Sequence, residues 1–221
     1  MFSGHKKAFT VCMVAGSLVA TPVLAEESPE SQQPVADEAS TPATTSSSSN
    51  EVKAHGVLFA GLEFGGDLIA TGIFDNGDVE TLDAGEGIYF GGGGAFPVSA
   101  DGSIEVQLTL GLKMGLIPAS NGGIDFTRFP VEALLFYRGD KFRVGVGPTI
   151  HLSPTLTIDS TFVDTEVDFD SAAGIVLEAD FFITDDVYFG ARFTEIEYET
   201  SVGSIVYDGS SFGLNVGARF K

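Results

Sequence analysis

The chain of 221 residues has no tryptophan and one cysteine, and its 11 lysines and arginines face 31 aspartates and glutamates, a formal net charge of −20. Each shortage excludes something. Cys12 stands in an N-terminal apolar run that is expected to be removed. What remains then has neither a disulfide framework nor a cysteine nucleophile. The scarcity of bases argues against a nucleic-acid partner, whose phosphates demand basic patches, and against a polybasic membrane-surface binder. No stretch beyond the N-terminal run reaches the roughly 18 apolar residues of a membrane helix. Beyond residue 25 only His55 and His151 remain, so histidine-dependent chemistry has few places to live. Yet mean hydropathy is +0.22. Apolar content without helical spans suits a membrane wall built from strands, where apolar residues are diluted one for one.

Residues 1–25 read as a cleaved secretory signal. Lys6 and Lys7 supply a positive start, Ala8 to Val19 an apolar run, and Pro22-Val23-Leu24-Ala25 a small-residue cleavage site before Glu26. Cys12 lies inside the apolar run rather than at the cleavage point, which argues against a lipoprotein anchor. Residues 26–53 are rich in Ser, Thr, Pro, Ala, Gln and acid and include Ser46 to Ser49. Such a segment cannot bury enough apolar surface to offset its ordering, so a disordered periplasmic tail is expected, a spacer or a tether.

From residue 54 to 221 the pattern has a period of two. The last stretch is a clear instance: Phe212, Leu214, Val216, Ala218 and Phe220 share one parity, and Gly213, Asn215, Gly217 and Arg219 the other. Successive strand side chains point to opposite faces, so one face is apolar and the other small or polar. Ile104 to Met114 alternates as strictly against Ser103, Glu105, Gln107, Thr109, Gly111 and Lys113. Eight strands are expected: about Gly56–Phe74, Gly85–Phe96, Ser103–Met114, Thr127–Tyr137, Phe142–Leu152, Val167–Phe182, Val187–Tyr198 and Phe212–Lys221. Their connections alternate short (Pro97–Gly102, Arg138–Lys141, Thr184–Asp186) and long (Asp75–Ala84, Leu116–Asp125, Ser153–Glu166, Glu199–Gly209). Phe96, Tyr137, Phe142, Phe181, Phe189 and Phe220 fall near the short turns, as an interfacial girdle would.

These features predict an all-β fold, an eight-stranded antiparallel transmembrane β-barrel of the bacterial outer membrane, with both termini and the short turns in the periplasm. A soluble lipocalin-like barrel would turn the apolar parity inward. The glycine-strewn polar parity argues for the membrane arrangement, because an exposed strand face rarely tolerates so much glycine, whereas a narrow lumen needs it beside bulky charges.

Thr127 to Leu156, TRFPVEALLFYRGDKFRVGVGPTIHLSPTL, resembles the central hairpin of the small outer-membrane β-barrel domain of Gram-negative bacteria. The region from His55 to Lys221 resembles the OmpA/OmpX-type superfamily of eight-stranded barrels. The resemblance implies an architecture rather than an activity, and a monomer. It implies contact with outer-membrane lipid and lipopolysaccharide, and assembly through the terminal strand (Phe212, Leu214, Val216, Ala218, Phe220) by the barrel-assembly machinery.

The polar parity collects Glu63, Glu105, Glu132, Glu178 and Asp180 against Lys113, Arg128, Arg143, Arg192 and Arg219. Charges in a lumen of about eight strands must pair or keep water. Two readings follow, a structural network filling a barrel with a structural or surface-interaction role, and a narrow, gated, porin-like channel for ions or small solutes. His151-Leu152-Ser153 resembles the His-x-Ser pair of the small-barrel lipid A deacylases, which gives a third reading with His151 as base and Ser153 as nucleophile. Alternation puts His151 on the luminal side, away from lipid, and no catalytic residue is assigned. The predicted outer loops gather Asp75, Asp78, Glu80 and Asp83, and Asp159, Asp164 and Glu166. These could meet Ca²⁺ or Mg²⁺, but no complete ligand pattern appears, so neither metal nor cofactor is assigned.

Overall fold

The computed structural model describes residues 9–11, 54–74, 76–119, 122–160 and 164–221. The tail over 26–53, and all of the expected signal segment except Phe9–Val11, lie outside the described residues. Phe9–Val11 forms a short strand paired antiparallel with Leu68–Phe74.

Eight strands build the barrel: β1 His55–Phe64, β2 Gly87–Pro97, β3 Ile104–Ala119, β4 Gly122–Arg138, β5 Phe142–Ser160, β6 Ala172–Phe182, β7 Val187–Glu199 and β8 Ser211–Phe220. Each pairs antiparallel with its neighbour in sequence, and β8 returns to β1, from Phe212 opposite Phe64 to Phe220 opposite Gly56. The sheet therefore has no free edge around its circumference, the condition for a strand-built wall to sit in lipid.

The alternation read in the sequence becomes an outside and an inside. Leu58, Leu62, Phe90, Leu110, Leu135, Val146, Leu177 and Leu214 are all exposed. With Leu110 at 60% and Leu214 at 59%, these side chains form an exposed apolar belt, the kind of surface that marks a membrane or partner contact rather than a bare water-facing wall. Phe96, Tyr137, Phe142, Phe181, Phe189 and Phe220 are exposed at the short-turn end, and the Phe181 and Phe189 rings lie 5.6 Å apart across neighbouring strands.

The inside is narrow enough that large side chains lie directly over glycines. A Cβ on Gly217 would stand 2.2 Å from the Tyr188 ring, and one on Gly145 would stand 2.5 Å from Phe136. This is the physical reason for glycine in the inward parity.

At the long-loop end the structure departs from the expected strands. The first does not run to Phe74. It stops at Phe64, where Gly65 and Gly66 take φ of 121° and 91°, and Leu68–Phe74 instead pairs with Val79–Asp83 as a separate hairpin. The expected loop Leu116–Asp125 is strand: β3 and β4 stay paired up to Ala119 opposite Gly122. Likewise β5 continues to Ser160 and pairs with Asp164–Asp168, and Val206–Asp208 pairs with β7. The sixth expected strand breaks between Asp168 and Ala172.

A bulge marks the transition. The β4–β5 register slips between Thr127 and Phe129, opposite Leu152 to Thr155, and Ser153 takes φ of 45°. Below it His151 is buried and Leu152 exposed; above it the buried residues are Pro154, Leu156 and Ile158. One extra residue thus flips the strand's inward face. Beyond the bulge the barrel inverts its polarity. Ile69, Phe74, Leu82, Ile117, Ile124, Phe126, Leu156, Ile158, Phe169 and Tyr198 form an apolar core inside. Asp159, Asp164, Glu166, Asp168, Glu195, Glu197 and Glu199 stand exposed outside.

Candidate functional site

The ten luminal charges predicted from parity all lie inside the barrel, each no more than 6% exposed. Most are tied across the lumen rather than along the wall. In the layer nearer the long-loop end, Arg192 on β7 reaches Glu63 on β1 (3.0 Å) and Glu132 on β4 (2.5 Å), and Lys113 on β3 also pairs with Glu63. Ser211 donates to Glu63 at 2.8 Å. In the layer nearer the short turns, Arg143 on β5 pairs with Glu105 on β3 (2.8 Å) and Asp180 on β6 (2.7 Å). Arg219 on β8 pairs with the other oxygen of Glu105 at 2.8 Å. Glu178 sits between the layers, 3.6 Å from Arg192 and 3.9 Å from Arg143.

Neutral residues complete the network. Gln107 accepts from Arg143 at 2.8 Å, and Thr109 donates to Glu132 at 3.4 Å. Arg143 lies against the rings of Phe136 (4.1 Å) and Tyr188 (4.5 Å), and Arg138 stacks on Phe182 at 4.3 Å. Cation–aromatic contacts of this kind are worth more when desolvated. Gln107 and Thr109 share the parity of Glu105 and Lys113. The aromatic partners carry no charge signal, and only the register brings them to the arginines. A cavity of about 10 Å³ beside Glu63, Tyr89, Lys113, Glu132 and Arg192 has room for about one water.

Arg128 is the exception among the ten. It is fully buried, yet among the described residues it has no carboxylate partner. Its Nη1 donates to the Ala84 carbonyl (2.5 Å) and its Nη2 to that of Glu86 (2.7 Å), while the guanidinium lies 4.2 Å over Phe126. It belongs to the junction between lumen and apolar end.

His151 and Ser153 do not converge. His151 is buried, with Nδ1 hydrogen-bonded to the Tyr198 hydroxyl at 2.6 Å, whereas Ser153 is exposed at the bulge. Sequence spacing concealed this, because the bulge falls between them. Among the described residues no group of three or more His, Cys, Asp or Glu is placed to hold a metal ion.

Two carboxylates outside the barrel wall are perturbed, Asp101 in a short turn and Asp83 at the end of a hairpin strand. Asp101 is held down at about 2 by hydrogen bonds from the Ser99 and Ser103 hydroxyls and the Ser103 N–H. Burial, then the nearby Asp67 carboxylate, pushes Asp83 up.

The chain thus has the closed eight-stranded antiparallel barrel fold expected from its sequence, with an apolar outer belt and a cross-braced polar interior. The chain matches no protein-family model and no curated protein. Among solved structures it is similar to Ail, the attachment invasion locus protein of Yersinia pestis, solved with the heparin analogue sucrose octasulfate. That match has a TM-score of 0.51 and 12% identity, and covers 76% of this chain and 97% of Ail. It is also similar to Neisserial surface protein A, with a TM-score of 0.48 and 10% identity over 76% of this chain and 96% of that one.

Proposed function

We propose that this chain is a sealed barrel of the Gram-negative outer membrane whose role is structural or surface-interacting, with its long-loop end outside and its N-terminal tail in the periplasm. The observation that carries this reading is the doubly filled interior. Charged side chains meet across the barrel in two layers, and an apolar core occupies the end beyond them. Short turns and both barrel termini share one end, the arrangement expected for a periplasmic side.

In this reading the apolar side chains of β8 (Phe212, Leu214, Val216, Ala218 and Phe220) serve barrel assembly, the belt meets lipid, and the protein works as a monomer. Ail was solved with a polysulfated sugar, but the inference for this chain runs the other way. Its long-loop end exposes aspartate and glutamate and, among the described residues, no lysine or arginine. Cationic or neutral partners, or lipopolysaccharide approached through bridging cations, fit such a wall better than a polyanion.

Single-channel recording of the refolded chain in a planar bilayer tests the seal, with insertion verified separately. A silent membrane is expected. Steady discrete openings altered in Glu132→Gln would replace the sealed barrel with the gated channel. That second reading has one observation in its favour: Arg192 has three carboxylates in reach, Glu63, Glu132 and Glu178, and could exchange partners.

A further inference from the structure

We propose that the hairpin Leu68–Phe74/Val79–Asp83 is a hinged cap over the long-loop end of the barrel and that Arg128 is its clasp. The proposal rests on the sealed-barrel reading and says which part forms the seal at that end.

The hairpin is attached at both stems by glycines. Gly65 and Gly66 leave β1 with φ of 121° and 91°, and Gly87, at φ 155°, enters β2. Other residues adopt these angles only under strain, so the stems bend where the rest of the wall does not. At Gly85 a Cβ would meet the carbonyl oxygens of Gly65, Gly209 and Ser210, each at 2.7 Å. The closed position therefore requires glycine there as well.

The hairpin is not a ladder continuation of the barrel. Among the described residues it pairs as strand only within itself and with Phe9–Val11. It turns Ile69, Phe74 and Leu82 inward onto Ile117, Ile124, Phe126, Leu156 and Ile158. Leu82 reaches far enough that a Cβ on Gly115 of β3 would lie 2.7 Å from its Cδ1.

Arg128 joins this flap to the wall. Two arms of its guanidinium hold the carbonyls of Ala84 and Glu86, the residues by which the hairpin returns to β2. Lys113, Arg143, Arg192 and Arg219 each face a carboxylate that stays in place whatever the hairpin does. The partners of Arg128 belong largely to the moving piece. On the wall side, among the described residues, Arg128 has the Tyr198 hydroxyl and, at 3.4 Å, the Phe126 carbonyl, but no carboxylate. Its two short hydrogen bonds therefore last only while the cap is shut, so closure of the cap and burial of the charge favour each other.

The test uses the chain without its signal segment, which contains no cysteine. Ile158, 1% exposed beneath the hairpin, is replaced by cysteine as a reporter. Its labelling by a charged, membrane-impermeant maleimide is measured in the parent, in Arg128→Met and in Arg219→Met, with folding checked by compact gel migration before heating. Loss of at least one charge-assisted hydrogen bond predicts labelling about tenfold faster or more in Arg128→Met. Arg219→Met, which loses a luminal ion pair at the short-turn end and leaves Glu105 paired with Arg143, should label at the parent rate. An unchanged rate in Arg128→Met, or equal acceleration in both variants, would overturn the clasp.

Hydrogen exchange on the unmutated chain is a second measurement that needs no variant. The amides of Ile69–Phe74 should open as one unit, faster than those of β1 and β2. Exchange as slow as in β1 and β2 would show that the hairpin is not a separate cap. Steady conductance in the parent would remove the sealed-barrel reading while leaving the labelling comparison intact, so the two failures are distinguishable.

Discussion

Glu105 is the residue on which the lower luminal layer most depends. Its two oxygens serve two cations on strands that are not neighbours: Arg143 on β5 and Arg219 on β8, each at 2.8 Å. Arg143 would survive its loss, since Asp180 and Gln107 remain at 2.7 and 2.8 Å. Arg219 would not, because Glu105 is the only carboxylate paired with it among the described residues, and its Nε has no partner. Glu105→Gln therefore strands a buried guanidinium, which costs about 3–5 kcal/mol, with the lower end expected because the amide oxygen still accepts one hydrogen bond. Glu132→Gln makes the informative contrast. Arg192 keeps Glu63 at 3.0 Å and Glu178 at 3.6 Å, so its loss should cost about 1 kcal/mol. Reversible urea unfolding in lipid vesicles would measure both, and Glu105→Gln/Arg219→Gln should recover much of the single-variant loss. Equal, small effects for the two glutamates would refute the reasoning that bridging geometry, rather than charge count, sets the worth of each carboxylate.

Other consequences are as direct. Gly217→Ala puts a methyl 2.2 Å from Tyr188, and the displaced ring should cost about 1–3 kcal/mol in the same unfolding assay. Leu214→Arg in the belt should destabilise by about 2–4 kcal/mol, whereas Glu197→Arg in the acidic extension should change stability by less than about 0.5 kcal/mol. Asp101, titrated by NMR, should show a midpoint of about 2. Because that value lies below the unfolded one of about 3.9, its turn is stabilised above that pH and loses the contribution as pH falls through about 2. Purified lipopolysaccharide should keep its acyl chains on incubation with the chain, and Ser153→Ala should change nothing, since Ser153 and His151 lie on opposite faces of β5.

The barrel was legible because alternation is local. Leu108, Leu110 and Leu112 against Gln107, Thr109 and Gly111 need only the strand period to sort wall from lumen. The pairing inside was not legible, since parity places Glu105 and Arg219 in the same lumen but only register makes them meet. The cap was hidden for a different reason. Reading one parity as outward along a whole strand assumes that the environment is constant, and it is not: Phe129 and Val131 face out on β4, whereas Ile124 and Phe126 face in. The sequence does carry a trace of this change, an apolar parity that swaps between Phe126 and Phe129, and it marks where the apolar outer belt gives way to the acidic outer face. On β5 the apolar parity does not swap at all; the bulge at Ser153 turns the same parity from outward to inward, and no residue type there announces it.

The absence of tryptophan permits a direct test of which face meets lipid. Single tryptophans at Leu110→Trp, in the belt, and Glu197→Trp, in the extension, would be placed in vesicles of lipids brominated along their acyl chains. Strong quenching and a blue-shifted spectrum for Leu110→Trp, with a water-like, unquenched Glu197→Trp, is the result this account predicts. Equal quenching at both positions, or none at Leu110→Trp, would mean that the apolar belt does not lie in the membrane, and would contradict it.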